Sequence, residues 1–417
     1  MKDIAENQSK LPLAPYRVLD LSTEKGYVCG KLLAELGAEV IKVEPPGGDQ
    51  GRNCGPFYHD VPEKNRSLFF LAYNTNKKGI TLNIETLDGQ AIFKKLVKTA
   101  DFVIESFDPG YLDKLGLGYS RLQEINPRLI MVSVTPFGQT GPRKNWKGSD
   151  LVETAMSGLN YITGRPDRPP VRINIDQSLI VAGYQAAMGA MIANYYAQSS
   201  GKGQQVDTSI QESLLLSALT VPQAWDLQKF IWPREGSFLS RSGKKVRYVW
   251  ACKDGYISWR IFGGGLGPKT RAMVVWMESE GKAGELAQVD WTKMDYLSTP
   301  PETFDRWQGI FASFFKTHTK DEICQKALDE GIVLLPASTP NDLLNDRQLI
   351  ARNFWKKVEH TELGSTLVYA GSSFKSSEYT TEITRAPLIG EHNTDIYEKE
   401  LGYSAAELAI LKNSGVI

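Results

Sequence analysis

The order of apolar runs over residues 1–150 limits what this chain can fold into more than any other feature. RVLDLS at 17–22 is a short β-rich run, and GYVCGKLLAEL at 26–36 has helical spacing and stops at Gly37. EVIKVE (Glu39–Glu44) is a second strand-like run. The alternation then repeats as strand 80–84, helix 88–98, strand 102–105, a turn at Pro109-Gly110 and strand 129–134. Strand, helix and strand in this order predict a parallel sheet covered by helices, an α/β class with a Rossmann-like layer. The pattern fixes the class and leaves the function open.

Beyond residue 150 the pattern turns helical, and from Gln177 to Gly201 there is no charged residue. The length is that of a membrane span. Gln185, Asn194 and Gln198 are spread through the segment and it lacks basic flanks, so the expectation is a helix buried all round rather than a span. From 221 to 336 the chain becomes rich in Trp, Gly and Pro, with strand-like runs at 248–252 and 256–261 and amphipathic helices at 303–316 and 320–330. This predicts a smaller α+β domain at 221–336 inserted into a large one made of 1–220 and 337–417. The tail, GEHNTDIYEKELGYSAAELAILKNSGVI, reads as two short helices joined by Gly402.

Lys+Arg and Asp+Glu both number 48, so the net charge is zero, which argues against nucleic acid or an acidic membrane as the main partner. Cys29, Cys54, Cys252 and Cys324 lie far apart with no CxxC, and the four His are unpaired in sequence. No metal site is expected, and the cysteines read as reduced thiols of a cytoplasmic protein. The N-terminal stretch carries no apolar signal core. GGGLG at 263–267 runs into Pro268 and completes no phosphate-binding fingerprint, and GxSxG is absent. The chemistry falls to a carboxylate, backbone amides or basic groups.

Three features remain. VIKVEPPGGDQGR (40–52) carries Lys42 before a Pro-Gly turn and Arg52 after it, which suits a diphosphate or an ordinary solvated strand-turn. Residues 101–142 frame a second Pro-Gly turn and end in a Gly-rich loop. Asp176 stands at the head of the uncharged helix, where Asp is a favoured N-cap. The same position keeps a carboxylate ionised beside an apolar wall, as a nucleophile towards a thioester requires.

Taken together, VLDLS…LLAELGAEVIKVEPPGGD, NTNKKGITLNIETLDG, the 101–142 segment, Asp176 with its helix, SGKGQQVDTSIQESLL and PLIGEHNTDIYEKELGYS resemble the class III CoA-transferases, the formyl-CoA and carnitine type, nearly end to end. The resemblance implies an interlocked-ring dimer of identical or paralogous subunits, each with a Rossmann-like CoA-binding domain and an inserted smaller one. It implies that Asp176 is the nucleophile, passing through mixed-anhydride and aspartyl-CoA thioester intermediates. CoA thioesters are then the substrates and no cofactor is permanently bound. Glu24, Lys25, Lys42, Arg52 and Lys114 fall on the family's CoA-contacting positions, and Gly263, Gly264 and Gly265 on the glycine lid that shields the intermediates.

The stretch GRNCGPFYHDVPEKNRSLFFLAYNTNKKG is similar to the branch of succinyl-CoA:benzylsuccinate CoA-transferases of anaerobic aromatic degradation. That implies succinyl-CoA as donor and an aryl-substituted acid as acceptor, with Phe57, Tyr58 and Trp146 as aromatic candidates. The related α-methylacyl-CoA racemases use a His in a GHD-like segment; here it reads Gly148-Ser149-Asp150, without the His. A heteromer with a paralogous chain is the other alternative, in which a chain holding Asp176 is the catalytic member.

Overall fold

The structure, a computed structural model, describes residues 11–241 and 244–417. The N-terminal stretch read as lacking a signal core falls mostly on residues 1–10, outside that range. The chain divides into two compact units, one of 1–159, 173–229 and 347–417 and the other of 160–172 and 230–346. The boundaries differ from the expected 221 and 336, and the stretch 160–172, expected in the large domain, belongs to the smaller unit. The composition shift marked the second unit's Trp-rich core and not the polar segments that lead into it.

The larger unit is built on a six-stranded sheet in the order β3-β2-β1-β4-β5-β6. Its strands are β1 (Arg17–Asp20), β2 (Glu39–Glu44), β3 (Lys78–Thr81), β4 (Phe102–Glu105), β5 (Ile130–Thr135) and β6 (Gln205–Ser209). All pairs are parallel, with Leu19 opposite Ile41 on one side and Val103 on the other. Central strands of such a sheet are covered on both faces, and β4 and β5 are accordingly buried at every residue. The last strand was missed in the sequence, where VDTSI reads as the start of a helix. QVDTS is a polar, partly exposed edge strand without the alternation that marks a half-buried one.

Among the helices of this unit are α1 (Tyr27–Glu35), α2 (Leu68–Tyr73), α3 (Leu87–Val97), α4 (Tyr111–Lys114), α5 (Tyr119–Ile125), α6 (Asp150–Met156) and α7 (Gln177–Ser200). One core joins Leu33 of α1 to Ala182, Ala186 and Ala190 of α7; another joins Ile92, Phe93 and Leu96 of α3 to Ile396, Tyr397 and Val416 near the C-terminus. The tail closes the β3 edge. His392 N donates to Gly79 O at 2.9 Å, Thr81 N to Asn393 Oδ1 at 2.9 Å and Tyr397 OH to Thr81 O at 2.6 Å.

The uncharged segment is helix α7, but it is not buried all round. Ala182, Gly183, Ala186, Ala190 and Ala193 face the core, while Tyr184, Met188, Ile192, Tyr195 and Tyr196 are at least half exposed. Small residues on the inner face let α7 approach closely: a Cβ on Gly183 would lie 2.4 Å from Val28 Cβ of α1. No described helix is long and apolar enough to cross a membrane.

The smaller unit holds an antiparallel sheet of Val249–Cys252, Gly255–Ser258 and Leu335–Pro336, with helices Gly267–Ser279, Pro301–Phe315 and Lys320–Asp329. Its core packs Trp250, Trp259 and Trp291 against Phe304, Phe311 and Phe315.

Candidate active site

In a parallel sheet the ligand crevice lies outside the carboxyl ends of the strands, where the strand order reverses. Here that point is β1 beside β4. The two loops that leave it are tied together, with Thr23 N donating to Ser106 Oγ at 2.8 Å. Glu24 and Lys25 sit half-buried in the first loop, 3.8 Å from one another. After β4 the chain turns at Gly110, whose φ of +81° suits glycine, and enters α4, which ends on exposed Lys114. Glu24, Lys25 and Lys114 are thus on the elements that flank the crevice.

Lys42 and Arg52 are a different matter, and their expected role as ligand cations is corrected. Both are fully buried. Arg52 holds Glu44 with two bonds, Nε to Oε2 at 2.6 Å and Nη2 to Oε1 at 2.7 Å, and lies 3.7 Å over the Phe70 ring. Lys42 donates to Ser22 O and stands 3.3 Å from Asp49. Their charges are used inside the fold. A third buried cation, which the sequence did not single out, is Lys77: it donates to Asp20 Oδ2 at 2.7 Å, Asn74 Oδ1 at 2.9 Å and Tyr27 O at 3.1 Å.

Asp176 is exposed at the N-cap position of α7, yet its side chain makes no cap hydrogen bond. Asp150 of α6 supplies the cap instead, its Oδ1 accepting from Ser178 N at 3.0 Å. The capping carboxylate and the N-cap residue are therefore separate side chains at one helix end. The Asp176 charge reaches across to α2 and the loop after β2. Burial first, then Asp176 and Tyr184, push the Tyr73 hydroxyl up; burial, Glu24, Asp49 and Asp176 push the Cys54 thiol up.

Beneath this end lies Glu153 of α6, wholly buried, with neither carboxyl oxygen hydrogen-bonded. Burial pushes its pKa up, against the pull of Lys25 and of Ser178, whose hydroxyl stands nearby without closing a hydrogen bond. Asp150 and Glu24 add to the upward shift. Nothing in DLVETAM singles this residue out. Trp146, an aromatic candidate, is 53% exposed and packs edge-on against Phe137; Phe57 and Tyr58 are half-buried.

Gly263, Gly264 and Gly265 are in the smaller unit, at the entry to helix Gly267–Ser279. Gly263 is tightly packed, since a Cβ there would lie 2.2 Å from Met294 O, while Gly264 and Gly265 face open space. Among the described residues no group of three or more His, Cys, Asp or Glu is placed to hold a metal ion.

The profile of CoA-transferase family III matches residues 13–393. The chain belongs to that family. It is 35% identical over 406 residues to the succinyl-CoA:(R)-benzylsuccinate CoA-transferase subunit BbsE of Thauera aromatica, covering 96% of this chain and 97% of that one. It is 34% identical over 409 residues to the succinyl-CoA–D-citramalate CoA-transferase of Chloroflexus aurantiacus, covering 97% and 98%. The fold is that of a CAIB/BAIF family protein from Brucella suis, with a TM-score of 0.80 at 26% identity over 93% of this chain and 99% of that one. This family III chain is a CoA-transferase, and CoA thioesters are its substrates.

Proposed function

We propose that the enzyme moves CoA from succinyl-CoA to an aryl-substituted dicarboxylic acid such as benzylsuccinate, with Asp176 as nucleophile. The observation that carries the nucleophile assignment is the division of labour at the head of α7, where Asp150 caps the helix and Asp176 stands exposed beside it. The substrate reading is supported by likeness to the benzylsuccinate relative over nearly the whole chain.

A carboxylate oxygen of Asp176 attacks the thioester carbonyl and CoA thiolate leaves, giving an aspartyl-succinyl anhydride. The thiolate attacks the aspartyl carbonyl and succinate leaves, giving an aspartyl-CoA thioester. The acceptor carboxylate then attacks that thioester, and CoA thiolate leaves to form the second anhydride. Attack of the thiolate on the acceptor's carbonyl gives the new acyl-CoA and restores Asp176. No net proton is consumed. Both anhydrides hydrolyse readily, so water must be kept out. In this reading Gly264 and Gly265 act as the lid, and Glu24, Lys25 and Lys114 hold the CoA nucleotide.

The working form is an interlocked-ring dimer. Ile192, Tyr195 and Tyr196 in the C-terminal half of α7, at 63%, 78% and 54% exposure, fit burial against a second subunit. The benzylsuccinate relative is named as a subunit, which supports a paralogous partner as the alternative to a second copy. All four cysteines are free thiols, in keeping with a cytoplasmic enzyme.

Incubation with succinyl-CoA followed by intact-mass measurement tests the assignment. The expected result is a CoA adduct that hydroxylamine removes and that Asp176→Ala lacks. An adduct that persists in that variant overturns it.

A further inference from the structure

The face of α7 that begins at Asp176 continues as Ile180, Tyr184, Met188 and Met191, at the three- and four-residue spacing that keeps side chains in one line. All four of these line one cavity of about 900 Å³ in the larger unit, which also takes in Tyr73 of α2. Ile180, one helical turn after Asp176, is part of the lining, so the cavity begins within a turn of that carboxylate. The hairpin Trp355–His360 and Ser365–Ala370 also lines it, through Leu367 and Tyr369.

The chemistry of the lining is selective. Among the described residues the charged side chains on the wall are Lys31 and Glu35, which hydrogen-bond to one another. The rest is mainly apolar, with the rings of Tyr73, Tyr184, Tyr369, Phe354 and Phe374 and the thioethers of Met188 and Met191. Thioether and ring edges favour an aromatic guest. Tyr184 and Met188 are 50% and 54% exposed, so apolar surface stands open next to the reacting carboxylate. A volume of about 900 Å³ is within the range of small-molecule sites.

We infer that this cavity receives the apolar substituent of the acceptor acid, an aryl group, and that Tyr73, Tyr184 and Met188 set acceptor specificity. The inference rests on Asp176 as nucleophile and on an aryl acid as acceptor. The acceptor carboxylate approaches Asp176 while its ring lies along α7, away from solvent. An acid without a ring makes no use of the cavity.

The test compares benzylsuccinate with citramalate as acceptors for the purified enzyme in its native assembly, with succinyl-CoA as donor. Ala72→Trp, on the exposed side of α2 within the lining, fills the cavity; Met188→Ala widens it. Ala72→Trp should lower kcat/KM for benzylsuccinate by about tenfold or more and leave citramalate within about twofold, the discrimination that packing in an apolar pocket provides. Met188→Ala should lower benzylsuccinate alone, by about three- to tenfold. Equal effects on both acceptors, or none, overturn the inference while leaving the proposed reaction intact. Loss of the assembly by light scattering in either variant also overturns it, because a second chain then fills the cavity. A wild-type enzyme that charges citramalate and no aryl acid overturns the acceptor reading, and this inference with it.

Discussion

Asp150 Oδ1 accepts the amide of Ser178 at 3.0 Å, so a carboxylate 28 positions upstream caps the helix that starts next to Asp176. Loss of this cap has two expected effects. Asp150→Ala should cost about 1 kcal/mol in denaturant melts, the usual value of an N-cap. It should also slow formation of the CoA adduct, since the orphaned amides then compete for Asp176. Asp150→Asn keeps a cap oxygen and should retain most of both. If Asn and Ala variants form adduct equally slowly at equal stability, the cap is not what positions Asp176.

Lys114 and Arg52 separate ligand contact from structure. Lys114→Ala should raise the KM for succinyl-CoA with an unchanged melt, because Lys114 is exposed beside the crevice. Arg52→Ala leaves Glu44 buried without its bidentate partner and should cost about 3–5 kcal/mol. Arg52→Lys should recover little of this, because an ammonium cannot reproduce the fork. A stable Arg52→Ala enzyme with only a raised KM would return Arg52 to the ligand.

The Asp20–Lys77 pair ties stability to acid. Burial alone would raise the Asp20 pKa; Lys77, Lys42 and the Ser22 hydroxyl outweigh it and hold the carboxyl below the usual range. A depressed carboxylate stabilises the fold above its unfolded value near pH 4, and that contribution is lost as pH falls through the folded value. Lys77→Met should therefore lose about 3–5 kcal/mol at neutral pH and show a weaker acid dependence below about pH 4. Gly30→Ala tests the same pair by sterics, since its Cβ would lie 2.4 Å from Asp20 Oδ2 and 2.9 Å from Lys77 Nζ. It should destabilise, although Ala is the better helix former by about 1 kcal/mol.

Glu105 acts in the opposite sense. Burial pushes its carboxyl up to about 7, against hydrogen bonds from Ser133 and the Phe107 amide. The folded chain then holds a proton that the unfolded chain has released, so this group lowers stability as pH rises from about 4.5 to 7. Glu105→Gln should remove that slope and gain on the order of 1–3 kcal/mol at pH 8 relative to pH 5. Parallel pH profiles for both proteins would refute the shift.

The strands of the Rossmann-like layer were legible because four- to six-residue apolar runs are what a sheet buried on both faces requires. Edge strand β6 was not, since an exposed edge tolerates the polar residues of QVDTS. Absence of charge made α7 visible as a helix; it could not say that Ala and Gly would face inward and Tyr and Met outward. For Lys42 and Arg52 the signal was present and misweighed, because their partners Asp49 and Glu44 lie in the same short segment. The Asp150 cap and the buried Glu153 depend on contacts between separate elements, which no local pattern encodes.

The closing of β3 by His392, Asn393 and Tyr397 has a consequence for biosynthesis. Every residue of the smaller unit is made before Arg347, whereas the larger unit takes residues from both ends of the chain. On the ribosome the second unit can therefore finish folding first, and the β3 edge waits open until the last segment emerges. An unclosed edge pairs readily with a neighbouring chain. A nascent chain of this enzyme is thus most exposed to wrong pairing, and most receptive to its proper partner, until His392, Asn393 and Tyr397 have emerged and closed that edge.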